Sequence, residues 1–151
     1  MSGYTLIELL VVVALMALVA AFTIPTYQLI LAEEELSSAT GQVVDFMQLT
    51  QQRTITEQKI YGDSFIVGGT STQQFLYDSQ SSTKTTQTTF SLAPNTQISA
   101  VNLSSNTDIR FSTAAAPSVS GTIEIMDTQR GRHKLITIAP SGSITANQPE
   151  Y

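Results

Sequence analysis

From Leu6 to Phe22 the chain reads LIELLVVVALMALVAAF, apolar almost throughout and interrupted by one carboxylate, Glu8. Taken from Tyr4 to Ile24, the segment has about 21 residues. As a helix rising about 1.5 Å per residue it is roughly 31 Å long, matching a bilayer core of about 30 Å. A carboxylate in hydrocarbon costs about 2.5–3.5 kcal/mol on insertion scales, less near the end of a span, and usually has a function. A cleavable secretory signal would need a basic region before the run, and none is present. A plain anchor gives Glu8 no purpose, and orientation by flanking positive charge has no support because the first basic residue is Arg53. The reading that uses the carboxylate is a helix that spans a membrane for part of its life. Later it packs against copies of itself, where Glu8 meets a neighbour's cation.

Pro25 follows the run and is expected to kink or loosen the helix. Beyond it, Leu36, Val43, Phe46, Met47 and Thr50 recur at steps of three and four, which predicts an amphipathic helix over 28–61. Glu34, Gln42, Asp45, Gln52 and Arg53 fall on its other side, and Gly62-Asp63 reads as its stop. From residue 62 the pattern changes to short alternating strands, predicting a β-rich head over 62–151. The expected strands are Ser64–Val67, Gln74–Tyr77, Thr88–Leu92, Ile98–Leu103, Asp108–Ser112, Thr122–Met126, Leu135–Ala139 and Ser143–Thr145. The pairs Ile109/Phe111, Ile123/Ile125 and Ile136/Ile138 should point to one face, towards the helix. Ser79–Thr89 is nearly all Ser, Thr, Gln and Lys and reads as an exposed loop or long hairpin tip.

The sequence Gly3-Tyr4-Thr5-Leu6-Ile7-Glu8-Leu9-Leu10 resembles the class III signal of type IV pilins and type II secretion pseudopilins. Pro25 stands where helices of that family commonly carry a proline. Ile109-Arg110-Phe111, Gly121-Thr122-Ile123-Glu124-Ile125 and Leu135-Ile136-Thr137-Ile138-Ala139-Pro140-Ser141-Gly142 are similar to the head of GspH/FimT-type minor pilins and pseudopilins. The resemblance implies an α+β pilin fold, a long N-terminal helix kinked near Pro25 and packed on a mostly antiparallel β-sheet head. It implies a short leader over residues 1–3, cut by a prepilin peptidase between Gly3 and Tyr4, with N-methylation of Tyr4. Met1-Ser2-Gly3 lacks the Lys or Arg usual in such leaders. Residues 4–27 would be the transmembrane and filament-core helix. Thr5 and Glu8 would serve assembly, Glu8 pairing with the N-terminal amine of an adjacent subunit. The implied location is the cytoplasmic membrane, single-pass with the head outside, and then an extracellular or periplasmic filament. The implied role is a structural, minor subunit; a major pilin, or a pilin-anchored module for DNA uptake or adhesion, are the alternatives.

Other chemistry finds little footing. The net charge of −5 argues against a generally basic, nucleic-acid-binding surface. With no cysteine there is no disulfide framework, thiolate nucleophile or thiolate-ligated metal. Asp78, Asp108 and Asp127 are too far apart for a local calcium loop, and no glycine-rich phosphate loop follows a strand. No cofactor and no metal site are expected. His133, the single histidine, has no motif-selected nucleophile, so no enzymatic activity is expected. Arg130, Arg132, His133 and Lys134 form the densest basic cluster, on an expected hairpin loop over Asp127–His133. It is the candidate contact for nucleic acid or a partner, although a solvated loop explains it as well.

Overall fold

The computed structural model describes residues 5–104 and 107–147, and for residues 22–29 it describes the backbone but not the side chains. The order is α1 (Leu6–Glu57), β1 (Ile60–Phe65), β2 (Ser71–Asp78), β3 (Thr83–Ser91), β4 (Thr96–Leu103), β5 (Asp108–Arg110), β6 (Gly121–Asp127), β7 (His133–Ile138) and β8 (Ile144–Asn147). The chain forms two compact units, residues 1–34 and 35–151. Pro25 lies inside α1, so the helix does not stop there. The expected kink falls on residues whose side chains lie outside the description.

In the second unit, the helix buries Leu36, Ala39, Thr40, Val43, Met47, Thr50 and Thr54. These steps of three and four make one continuous stripe. Phe46, expected in that stripe, sits at its edge, half-buried, with its ring stacked on Phe90 of β3 at 5.4 Å. Gln42, Asp45 and Gln52 are exposed, as their positions require, whereas Arg53 folds inward to hydrogen-bond Gln74 at 2.8 Å.

The helix ends earlier than the sequence suggests. Gln58 takes the left-handed conformation (φ 53°) that closes helices, and its side-chain amide donates to the Ile55 carbonyl at 2.7 Å. Gly62 and Asp63 are not a stop signal; both lie within β1 and are buried. The glycine answers a packing demand instead. A Cβ at Gly62 would lie 2.4 Å from the Ile109 carbonyl oxygen and 2.6 Å from the Phe75 ring.

The strands form two antiparallel sheets of four, ordered β3-β2-β1-β5 and β4-β6-β7-β8. Each expected strand has its counterpart, shifted at the ends. The turn after β1 ties the sheets together: Gly68 N–H donates to the Ile98 carbonyl at 2.8 Å, and Ile98 N–H to the Gly69 carbonyl at 3.0 Å. Leu36, Val43 and Met47 of the helix join Phe65, Ile98, Ile109, Phe111, Ile123, Ile125, Ile136 and Ile138 in one core. All three alternating pairs read from the sequence are therefore buried. The Ser79–Thr89 segment is a hairpin whose second strand, β3, is exposed over most of its length and forms a sheet edge.

Two glycines should respond oppositely to alanine. At Gly62 the backbone carbonyl cannot yield, and Gly62→Ala is expected to cost about 1–3 kcal/mol. Gly41, in the helix with nothing within 4 Å of the added Cβ, should gain about 0.5–1 kcal/mol. Denaturant midpoints of the two variants check both signs.

Candidate functional site

At the chain's start, Thr5 precedes the first helical residue, Leu6, and Glu8 lies in the first turn. Their side chains and backbone are reciprocally placed. Thr5 N–H and Thr5 Oγ1 each lie 3.4 Å from Glu8 Oε2, and Glu8 N–H lies 3.4 Å from Thr5 Oγ1. This is a capping box, with the cap threonine and a carboxylate three residues on satisfying each other's free N–H groups. The Thr-x-x-Glu spacing announces it, but reading Glu8 only against the membrane hides it. The contacts are long, so the carboxylate keeps acceptor capacity for a further donor. Gly3 and Tyr4, the residues expected at the processing site, lie outside the described residues.

The helix that this box opens has no sheltered side. Leu6, Ile7, Leu9, Leu10, Val11, Val12, Val13, Leu15, Met16, Leu18 and Val19 are all exposed. Covering one such side chain is worth about 1.5–3 kcal/mol, and so large a contiguous apolar surface marks an interaction site. Among the described residues no helix is long and apolar enough to cross a membrane. The described side chains of the run end at Ala21, short of the about 20-residue span such a crossing needs.

The basic cluster is not gathered into one surface. The hairpin between β6 and β7 is the expected one, closed by Asp127 N–H to the Arg132 carbonyl at 2.8 Å and by Gly131 at φ 66°. Strand alternation then separates the neighbours. His133 points outward, its Nδ1 2.8 Å from Glu124 Oε1, whereas Lys134 is buried on the core face with Ile136 and Ile138. A Lys134 placed there by the pleat offers nothing to a phosphate. Among the described residues, no group of three or more His, Asp or Glu side chains could hold a metal ion.

A polar cluster not foreseen from the sequence lies between α1 and the first sheet. Arg53 Nε bonds Glu57 Oε1 at 2.7 Å, the Tyr61 hydroxyl donates to Glu57 Oε2 at 2.5 Å, and the Arg53 guanidinium lies 4.6 Å over the Tyr61 ring. The Tyr61 hydroxyl, and secondarily Arg53, hold the Glu57 carboxyl below its ordinary value. On the opposite sheet face, Arg110 stacks 4.5 Å over Tyr77, and Lys84 reaches across to Asp108. The i, i+4 spacing of Arg53 and Glu57 was a local signal for the first cluster, whereas Arg110–Tyr77 and Lys84–Asp108 join residues distant in sequence.

Residues 1–24 match the family model described as the prokaryotic N-terminal methylation motif. The fold is similar to that of the type IV minor pilin FimU of Pseudomonas aeruginosa, with a TM-score of 0.61 and 12% identity over 78% of this chain and 91% of that one. It is also similar to the minor pseudopilin EpsH from the Type 2 Secretion System of Vibrio cholerae, with a TM-score of 0.62 and 10% identity over 78% of this chain and 99% of that one. No curated protein sequence matches the chain. Motif and architecture thus define a pilin-fold protein with an N-terminal methylation motif. Its resemblance is to type IV pilins and pseudopilins of the GspH/FimT type.

With Lys134 buried, His133 paired and the chain carrying a net charge of −5, general DNA binding is not expected. A mobility-shift titration of the full chain in detergent at low salt should show no shift. Arg130→Ala combined with Arg132→Ala should change nothing.

Proposed function

We propose that this chain is a minor structural subunit of a type IV pilus or type II secretion pseudopilus, assembled through its N-terminal helix. The observation that carries the reading is the helix exposed on all sides between Leu6 and Val19 and opened by the Thr5–Glu8 box. Such a surface needs lipid before assembly and other apolar helices after it. In the filament, those helices are supplied by neighbouring pilin subunits.

In this reading the prepilin peptidase cuts after Gly3, Tyr4 becomes the methylated terminus, and the head stands outside the cytoplasmic membrane. Extraction exchanges lipid for neighbouring helices at little net cost, since both are apolar. Glu8 then meets the terminal amine of an adjacent subunit. In a low-dielectric core, an unpaired charge of either sign is costly, and stranding one member of a buried pair costs about 3–5 kcal/mol. The pair therefore selects one axial register between neighbours.

Glu8 has two separable tasks, capping and charge pairing. Glu8→Gln keeps the capping box, which accepts either side chain, and removes the charge. Glu8→Ala removes both. Both variants should insert into membrane at wild-type levels, and incorporation into filaments should fall roughly tenfold or more for each, consistent with loss of a buried pair. Filament fractions compared with membrane fractions read this out. Normal incorporation of Glu8→Gln, with loss only for Glu8→Ala, would reduce the carboxylate to a helix cap and reject the pairing.

A further inference from the structure

Among the described residues, the head encloses a carboxyl group with no charged partner. Asp63 is fully buried in β1, opposite Gln74 of β2 and Ile109 of β5. Its Oδ1 lies 2.8 Å from Thr50 Oγ1 on α1, and its Oδ2 has no hydrogen-bond partner.

The neighbouring bonds fix where hydrogens can sit. Arg53 Nη1 lies 2.8 Å from Gln74 Oε1. A guanidinium only donates, so that oxygen accepts, and the amide nitrogen of Gln74 faces Thr50. Gln74 Nε2 then donates to Thr50 Oγ1 at 2.8 Å. Thr50 has one hydroxyl hydrogen and two further oxygens in reach, the Phe46 carbonyl at 3.1 Å and Asp63 Oδ1. Both contacts are hydrogen bonds at once only if Thr50 donates to Phe46 and Asp63 donates to Thr50. A donating carboxyl is a protonated one. The alternative, an ionised Asp63 held by one threonine hydroxyl, leaves a buried anionic oxygen with nothing facing it, which costs several kcal/mol.

We propose that Asp63 is a neutral acid in the folded head and acts as a proton-dependent latch, its hydroxyl bonding Thr50 and so fastening α1 to the first sheet until alkaline surroundings withdraw the proton. The charged and titratable groups clustered on this side of the packed elements are Arg53 and Glu57 from α1 and Tyr61 from β1. Gln74 and Thr72 from β2 and Ile109 from β5 are neutral, and Asp108 and Arg110 alternate to the far face of the sheet. Arg53 is committed to Glu57 and Gln74, and among the described residues no charged group offsets the desolvation of Asp63. Burial pushes its carboxyl up to about 8.

The sign follows from proton counts. Between its unfolded value of 3.8 and about 8, Asp63 keeps its proton folded and loses it unfolded. The stabilisation is therefore complete below the unfolded value, declines as pH rises, and is gone above the folded value. Asp63→Asn imitates the neutral acid at every pH. The test compares full-length wild type and Asp63→Asn in detergent micelles from pH 5 to pH 9. Relative to Asp63→Asn, the wild-type folding constant should fall about tenfold per pH unit up to about 8 and then level off. Amide exchange at residues 50–54 should quicken with pH more steeply in wild type than in Asp63→Asn. Parallel stability and exchange profiles would overturn the latch. Should Asp63→Asn fail to fold, carboxyl ¹³C NMR of wild type decides: a midpoint near 8 supports the proposal, and one in the ordinary carboxylate range rejects it.

Discussion

The head depends on one stripe of α1. From Leu36 to Thr54 the helix offers its partners one buried face, with Leu36, Val43 and Met47 in the apolar part and Thr50 and Thr54 at the far end. Two four-stranded sheets share that face and close one core around it. Neither sheet could bury its apolar side alone, and both use the same helical ridge. Side chains from α1 also reach the loops. The Gln51 amide donates to the Ala115 carbonyl at 2.7 Å and to the Gly142 carbonyl at 3.2 Å, tying two turns to the helix.

Much of this was legible because period determines side. Ile109/Phe111, Ile123/Ile125 and Ile136/Ile138 alternate strictly, and a pleated strand leaves such pairs only one common face. Helical steps located Leu36, Val43, Met47 and Thr50 for the same reason. What misled was local vocabulary read without tertiary context. Gly62-Asp63 has the composition of a helix terminator, yet each residue answers a neighbour distant in sequence: Gly62 yields to the Phe75 ring, and Asp63 meets Thr50 across the helix–sheet seam. The actual terminator, Gln58 in a left-handed conformation, is a residue type that does not advertise it. The basic run 130–134 looked like a patch because the sequence is linear. The pleat turned His133 and Lys134 to opposite faces.

The threonines of the stripe show how a helix accommodates a polar seam. Thr40, Thr50 and Thr54 bond carbonyls one turn back, at 2.7, 3.1 and 2.9 Å. Each hydroxyl is thereby satisfied without a partner on the sheet. Of these three, Thr50 also contacts the sheet, accepting from Gln74 and meeting Asp63. A valine there would pack as well but leave the Gln74 amide and the Asp63 carboxyl without their common partner. The polar seam thus trades dry packing for a directional bond between helix and strands.

The N-terminal motif meets a related difficulty with a different solution. A helix that opens in an apolar run exposes free N–H groups where lipid or neighbouring helices offer them no acceptor. Thr5 and Glu8 supply acceptors from within the same turn, and the positive end of the helix dipole favours a carboxylate there. The turn thus holds Glu8 from within the chain itself. The internal contacts are long at 3.4 Å, and in the proposed assembly a full cation presented by another subunit would outcompete them. Under the proposed function the same carboxylate is tolerable in the lone chain and better placed in a filament, a difference that would give assembly a direction.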